Sequence, residues 1–188
     1  MYSTIRSVIN LTISEEGIDC SNAFSNTYMP DLDDSKERLP ISNKDIKSIQ
    51  NECKKIDDEK RWLIALISDT GMRLSEAAGL LKDDLKVNES IPYVDIKPHP
   101  WRSLKTKSSI RKVPLVGASL WSARRILESN NDTSFAFPLY TNDKLTNSNS
   151  ASAALNKWLR NRLGEGNVIH GFRPVSYTHL RAHETPEH

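Results

Sequence analysis

Long apolar runs are missing from this sequence. No stretch approaches the roughly 20 apolar residues that a membrane-spanning helix needs, so we predict no membrane association. The first residues also lack a basic region followed by an apolar stretch, and no secretory signal is expected. The only two cysteines, Cys20 and Cys53, form no CxxC pair. A disulfide scaffold and a structural zinc site are therefore not expected, and a reducing cytosol is the expected environment.

Several common catalytic motifs are absent as well. The sequence contains no HExxH, no GxxxxGK[ST], no GxGxxG and no GxSxG. Its carboxylates show no spacing that indicates a two-metal site. We therefore predict a protein that uses neither a metal ion nor a cofactor.

The charge distribution is uneven along the 188 residues. The net charge is only +2, but residues 1–60 carry twelve Asp and Glu against eight Lys and Arg. Residues 97–125, in contrast, carry eight Lys and Arg and no acidic residue. A block of one sign suits a polyanionic partner, although a solvated basic surface explains it equally well.

Hydrophobic periodicity predicts a mainly helical chain. Helices are expected over residues 4–15, from Ser42, from about Asp58 to Thr70, over LSEAAGLL, over 117–129 and over 151–163. Residues 93–97 and 111–115 are typical of two strands of a hairpin with a long basic loop. The predicted fold class is α+β, mainly α, with a small antiparallel sheet. Residues 16–40 have no periodicity and indicate a linker, so the main domain is expected to begin near Arg38.

Three short segments bring cationic residues into structured settings. The first is TGMRLSEAAGL, in which Arg73 follows a helix-ending glycine and Glu76 can hold its guanidinium. The second is LKTKSS in the hairpin loop, and the third is HGFR, with His170 and Arg173 three residues apart. Each segment alone is explained more readily by an ordinary solvated surface. Together they form an anion-binding set, which metal-free phosphodiester chemistry requires.

The order TGMRLSEAAGL, LKTKSSIRKVPL and HGFR strongly resembles the catalytic domain of tyrosine recombinases, the phage-integrase family. The resemblance covers roughly residues 38–173. It implies a helical catalytic domain with a small sheet, preceded over residues 1–37 by the end of a core-binding domain and a linker. It also implies double-stranded DNA as partner, cleavage through a 3′-phosphotyrosyl link, and a tetramer of the full-length parent on paired sites.

The resemblance assigns roles to individual residues. Arg73 and Arg173 match the two arginines that clamp the nonbridging phosphate oxygens, and Glu76 matches the supporting acid. Lys105 best matches the lysine that protonates the leaving 5′ oxygen, with Lys107 as the alternative, while His170 assists as proton acceptor or phosphate ligand. Four further basic residues are predicted to contact DNA: Arg102, Lys107, Arg111 and Lys112.

The end of the chain departs from the family pattern. Only fifteen residues follow Arg173, too few for the helices that lead to the nucleophilic tyrosine, and Tyr177 lies too close to Arg173 to serve. Residues 175–185, VSYTHLRAHET, match a translated frame of a transposon-end sequencing adapter, so residues 174–188 are expected to be non-native. The sequence therefore predicts an inactive fragment of a cytoplasmic, bacterial, nucleoid-acting recombinase or integrase without its nucleophile. A DNA-binding remnant or regulator without chemistry is the alternative.

Overall fold

The computed structural model describes residues 2–25, 40–129 and 131–173. The chain divides into two compact units, residues 1–36 and 37–188. In the first unit, helix α1 spans Tyr2–Glu15, and the following segment turns back onto it. Asn22 is buried there and donates from Nδ2 to the carbonyl of Arg6 (3.1 Å) and to Oδ1 of Asn10 (2.6 Å). The start of the predicted linker therefore packs on α1, whereas residues 26–39 lie outside the described residues.

The second unit contains five helices and one sheet within its described residues. Its helices are α2 (Asn43–Ile56), α3 (Glu59–Thr70), α4 (Leu74–Ala78), α5 (Gly117–Glu128) and α6 (Ser148–Leu163). Its strands are β1 (Leu85–Lys86), β2 (Tyr93–Ile96) and β3 (Arg111–Pro114), and short 3-10 turns cover Lys82–Asp84, Lys107–Ser109 and Ile169–Phe172. This arrangement confirms the predicted fold class, mainly helical with a small antiparallel sheet.

Two side-chain caps and one glycine define the start of α2 and both ends of α3 at the positions predicted from the sequence. Ser42 caps α2 by accepting from the backbone N–H of Asp45 at 3.2 Å. Asp58 caps α3 in the same way, accepting from the N–H of Arg61 at 2.9 Å. Gly71 ends α3 with φ of 60°, a left-handed conformation that a residue without Cβ adopts at little cost. The chain therefore leaves α3 sharply, two residues before Arg73.

Helix α3 is the centre of the core. It packs against α2, α4, α5 and the turn Ile169–Phe172. Five consecutive apolar residues of α3, from Leu63 to Ile67, are 0–1% exposed. A helix that is apolar on nearly all sides is stable only when other elements cover it all round. The elements packed on α3, and the segment that leads from it to Arg73, therefore have fixed positions.

The sheet has the order β1-β2-β3, and both pairings are antiparallel. Val94 pairs with Val113 and also with Leu85, and all three side chains are buried. The opposite face is polar, and the ammonium of Lys112 lies 4.6 Å from the ring centroid of Tyr93. The predicted strands 93–97 and 111–115 are each one residue shorter in the structure. The two-residue strand β1 was not predicted, because two residues show no alternation.

Candidate functional site

A buried carboxylate organises the cationic residues at the start of α4. Glu76 is 2% exposed, and its two oxygens accept from two arginines. Nη1 of Arg73 donates to Oε1 at 2.7 Å, and Nη2 of Arg111 donates to Oε2 at 2.9 Å. The backbone N–H of Arg73 donates to Oε2 at 3.0 Å, so the third residue of α4 also caps the helix it belongs to.

Opposing effects act on the ionisation of Glu76. Burial alone raises the pKa of this carboxyl, but the hydrogen bonds from Arg111 and from the backbone and side chain of Arg73 outweigh it. The pKa therefore lies below the ordinary glutamate value of 4.5. At neutral pH Glu76 is ionised and holds both guanidinium groups in place.

Arg73 keeps donors available for an external ligand. Its side chain is 31% exposed, and Nη1 is engaged by Glu76 and by the hydroxyl of Ser109 at 3.3 Å. Within the described part of the chain, Nε and Nη2 make no hydrogen bond. A guanidinium that is fixed on one side and open on the other suits an anionic oxygen.

The structure gives Arg102 and Arg111 supporting positions. Arg102 is 4% exposed and donates from its two terminal nitrogens to the backbone carbonyls of Glu76 and Lys97. It therefore braces α4 against the end of β2 and presents no donor to a surface ligand. Arg111, 30% exposed, is held by Glu76 and by the carbonyl of Ser109 at 2.8 Å. The positive charge of these two residues predicted DNA contact, and it gave no sign that their side chains bond within the domain.

The loop between β2 and β3 carries the predicted lysines. Lys105 is exposed, and it forms no ion pair within the described residues. Lys107 opens the 3-10 turn, but its side chain lies outside the described part of the structure. The loop is more regular than expected, since His99 and Arg102 form an isolated bridge near its base.

Near the base of this loop lies a polar cluster that the sequence analysis missed. Asp84 is fully buried and contacts Nε2 of His99 (2.8 Å), Nζ of Lys97 (2.9 Å) and the backbone N–H of Leu81 (2.9 Å). Burial alone raises the pKa of Asp84, but these donors lower it below 3.8. The ring of His99 stacks on Trp101, with centroids 4.8 Å apart. Asp84 lies within the short segment KDDL, which matches no known motif, so no spacing signal pointed to it.

His170 and Arg173 lie on one 3-10 turn. The backbone N–H of Arg173 donates to the carbonyl of His170, and in such a turn residues three apart share one side. His170 is exposed and Arg173 half-buried, while Phe172 between them is fully buried. The N–H of Ile41 donates to the carbonyl of Gly171 at 3.3 Å, which ties the turn to the start of the domain.

The fold therefore carries all three predicted segments on one core. Arg73 follows α3, the Lys105 loop is braced to α4 through Arg102, and the His170 turn packs against α3 and α6. Residues 174–188, including Tyr177, lie outside the described residues. In the described part of the chain, no three His, Cys, Asp or Glu side chains cluster as metal ligands do, and no helix is long and apolar enough to cross a membrane.

Comparisons with solved structures show the same fold in other proteins. The chain is similar to the Tn1549 transposon integrase in complex with circular intermediate DNA, with a TM-score of 0.67 and 16% identity over 98% of this chain and 66% of that chain. It is also similar to the XerA recombinase (TM-score 0.57, 14% identity, 95% of this chain and 61% of that chain). The XerH site-specific recombinase bound to its difH substrate matches with a TM-score of 0.54 and 20% identity, over 95% of this chain and 53% of that chain.

The chain thus spans slightly less than two thirds of the integrase that it matches. A search of curated protein sequences found no match. A family model described as the phage integrase family matches residues 40–188, which is most of the chain. The chain therefore belongs to the phage integrase family.

Proposed function

We propose that this chain is the phosphate-binding part of a site-specific tyrosine recombinase that cuts and rejoins double-stranded DNA. The supporting observation is Arg73, held on one side by the buried Glu76 carboxylate and open on the other. The structural relatives include complexes with DNA, which agrees with this partner.

The proposed mechanism uses this chain's residues on one phosphodiester. Arg73 and Arg173 donate to the nonbridging oxygens and stabilise the charge that develops on them during attack. Lys105 donates a proton to the leaving 5′ oxygen, and His170 either accepts the proton of the attacking hydroxyl or donates a hydrogen bond to the same phosphate group. Glu76 and Arg111 contact no DNA in this scheme and keep Arg73 in place.

The attacking tyrosine is supplied by a segment outside residues 40–173 in this proposal. Residues 40–173 by themselves then bind DNA without cleaving a strand. The parent protein would assemble on paired sites as a tetramer.

Binding to a short fluorescent DNA duplex tests the partner. We expect binding at low salt that weakens steeply as salt rises, because released counterions contribute to the affinity. The variant Arg73→Met should weaken binding by about 3- to 10-fold, the loss of roughly one phosphate contact. Lys60→Met is the matched control, because Lys60 is exposed in the first turn of α3, at the end away from Arg73.

Cleavage distinguishes the proposed enzyme from a regulator without chemistry. The chain is fused to the C-terminal tyrosine-bearing segment of a structural relative and mixed with a nicked duplex that traps the covalent product. We expect a DNA adduct with the fused protein and none with its Arg73→Met variant. Salt-sensitive binding without any adduct would favour the non-catalytic DNA-binding remnant, and no binding at low salt would contradict both.

A further inference from the structure

The 3-10 turn after Lys105 contains a group of hydroxyls whose role the proposed function leaves open. We infer that Ser109 is a positioning residue that holds the Lys105 loop against Arg73. It thereby fixes the position of the Lys105 ammonium relative to the Arg73 guanidinium when both contact one phosphate. This inference rests on the proposed function, and it names the residue that connects Lys105 and Arg73 in the proposed phosphate site.

The turn is closed by backbone and side-chain hydrogen bonds. The N–H of Ser109 donates to the carbonyl of Thr106 at 3.0 Å, and the hydroxyls of the same two residues lie 3.1 Å apart. Thr106 directly follows Lys105 in the chain. Closing the turn therefore fixes the backbone next to Lys105.

Ser109 is also attached to the arginine pair. Its side chain is buried, and its Oγ accepts from Nη1 of Arg73 at 3.3 Å. Its carbonyl accepts from Nη1 of Arg111 at 2.8 Å. Both arginines are held by Glu76, so Ser109 joins the loop to the carboxylate through two separate donors.

The other contact that holds the loop lies nearer its base. Arg102 holds the base of the loop, three residues before Lys105, through the carbonyls of Glu76 and Lys97. Without the Ser109 hydroxyl, the part of the loop beyond Arg102 keeps its backbone turn but loses its side-chain contact with Arg73. The relative placement of the ammonium and the guanidinium is then fixed only indirectly, through Arg111 and Glu76.

The tie itself is tested without DNA by amide hydrogen exchange of the whole chain. Removing the guanidinium with Arg73→Met should make the Ser109 amide exchange about 5-fold faster, the equivalent of one hydrogen bond. Lys60→Met should leave that rate unchanged. Equal rates in the Arg73→Met variant and the unmodified chain would overturn the inference, whatever the result with DNA.

The positioning role is tested by a double-mutant cycle in DNA affinity. Arg73→Met and Lys105→Met are made singly and together, in the unmodified chain and in a Ser109→Ala background. In the unmodified chain we expect the two effects to be non-additive by about 2- to 5-fold, since both residues contact one phosphate. In the Ser109→Ala background this non-additivity should shrink clearly, because only the indirect connection through Arg111 remains. A residue with only a structural role would lower all affinities without changing this coupling.

Ser103→Ala is the matched control, because Ser103 is an exposed serine of the same loop. It should leave the coupling intact. Coupling of unchanged size in Ser109→Ala, or coupling that is absent from the unmodified chain, would overturn the inference while leaving DNA binding established. If the unmodified chain shows no salt-sensitive binding to the duplex, the proposed function fails, and the inference fails with it.

Discussion

Replacing Glu76 with glutamine removes the charge that holds the two arginines and changes little else in shape. One oxygen of Glu76 accepts from Arg73 Nη1, and the other accepts from Arg111 Nη2 and from the Arg73 backbone. The amide of Gln has only one acceptor oxygen, so its NH2 group must face at least one of these donors at about the same distance.

The cost of E76Q follows from burial. One charge-assisted hydrogen bond lost at a 2% exposed site costs about 1.5–3 kcal/mol, and the bonds that remain lose their ionic character. Breaking a buried pair by removing one partner costs about 3–5 kcal/mol, because the other charge stays uncompensated. The two arginines are about 30% exposed, which favours the lower end of this range. We expect E76Q to lower the free energy of unfolding by about 3 kcal/mol at neutral pH.

Urea unfolding followed by circular dichroism measures this difference. E128Q is the matched control: Glu128 pairs with Arg125 at 2.8 Å but is 60% exposed, so its loss should cost less than about 1 kcal/mol. A loss in E76Q no larger than in E128Q would refute the argument that burial gives the Glu76 pair its strength.

The pH dependence of the same difference checks the charge itself. The pKa of Glu76 is lower in the folded chain than the ordinary 4.5, so its ionic stabilisation is fully present above 4.5. It is lost as the pH falls through the lowered folded pKa. The gap between the unmodified chain and E76Q should therefore narrow at acid pH, while groups common to both proteins cancel. A gap that stays constant down to the acid limit of folding would show that shape, and not charge, is responsible.

Three further outcomes follow from the structure. G79A should be strongly destabilising, because an added Cβ would lie 2.6 Å from Cδ of the buried Arg102; thermal unfolding measures the loss. In the folded chain iodoacetamide should label the exposed Cys20 and leave Cys53 unlabelled, because burial raises the pKa of the Cys53 thiol to about 12; mass spectrometry of the labelled peptides reads this out. D84N should destabilise the chain at neutral pH by about 2–4 kcal/mol in urea unfolding, and the loss should shrink as the pH falls through the lowered pKa of Asp84.

Local signals in the sequence were sufficient for the elements around the site. Ser42 and Asp58 are side-chain caps, and Gly71 is a helix-ending glycine. Each of these functions involves only residues within a few positions along the chain, so the sequence alone could predict it. The same holds for Arg73 and Glu76, whose separation of three residues predicted their contact. The boundaries of α6 were missed by three residues at its start, because Ser148–Ser150 show no apolar periodicity and depend on the Asn147 cap.

Long-range contacts account for what the sequence did not indicate. Arg111 reaches Glu76 across 35 positions and Arg102 reaches it across 26, and no local pattern marks either distance. Charge counting placed both in a DNA-binding block, since lysine and arginine are usually exposed. Only the folded structure shows that Arg102 and Arg111 contact the domain itself, whereas Lys105 is exposed.

This separation changes how the basic block between residues 97 and 125 should be understood. Arg102 and Arg111 are committed to carbonyl and carboxylate oxygens of the domain itself, and Lys97 is paired with the buried Asp84. Lys105, by contrast, is exposed and forms no ion pair within the described residues. Three of the eight basic residues in this block thus stabilise the fold around Glu76 and Asp84. The exposed lysine and the open side of Arg73 are then the groups for which a phosphate is the most fitting partner.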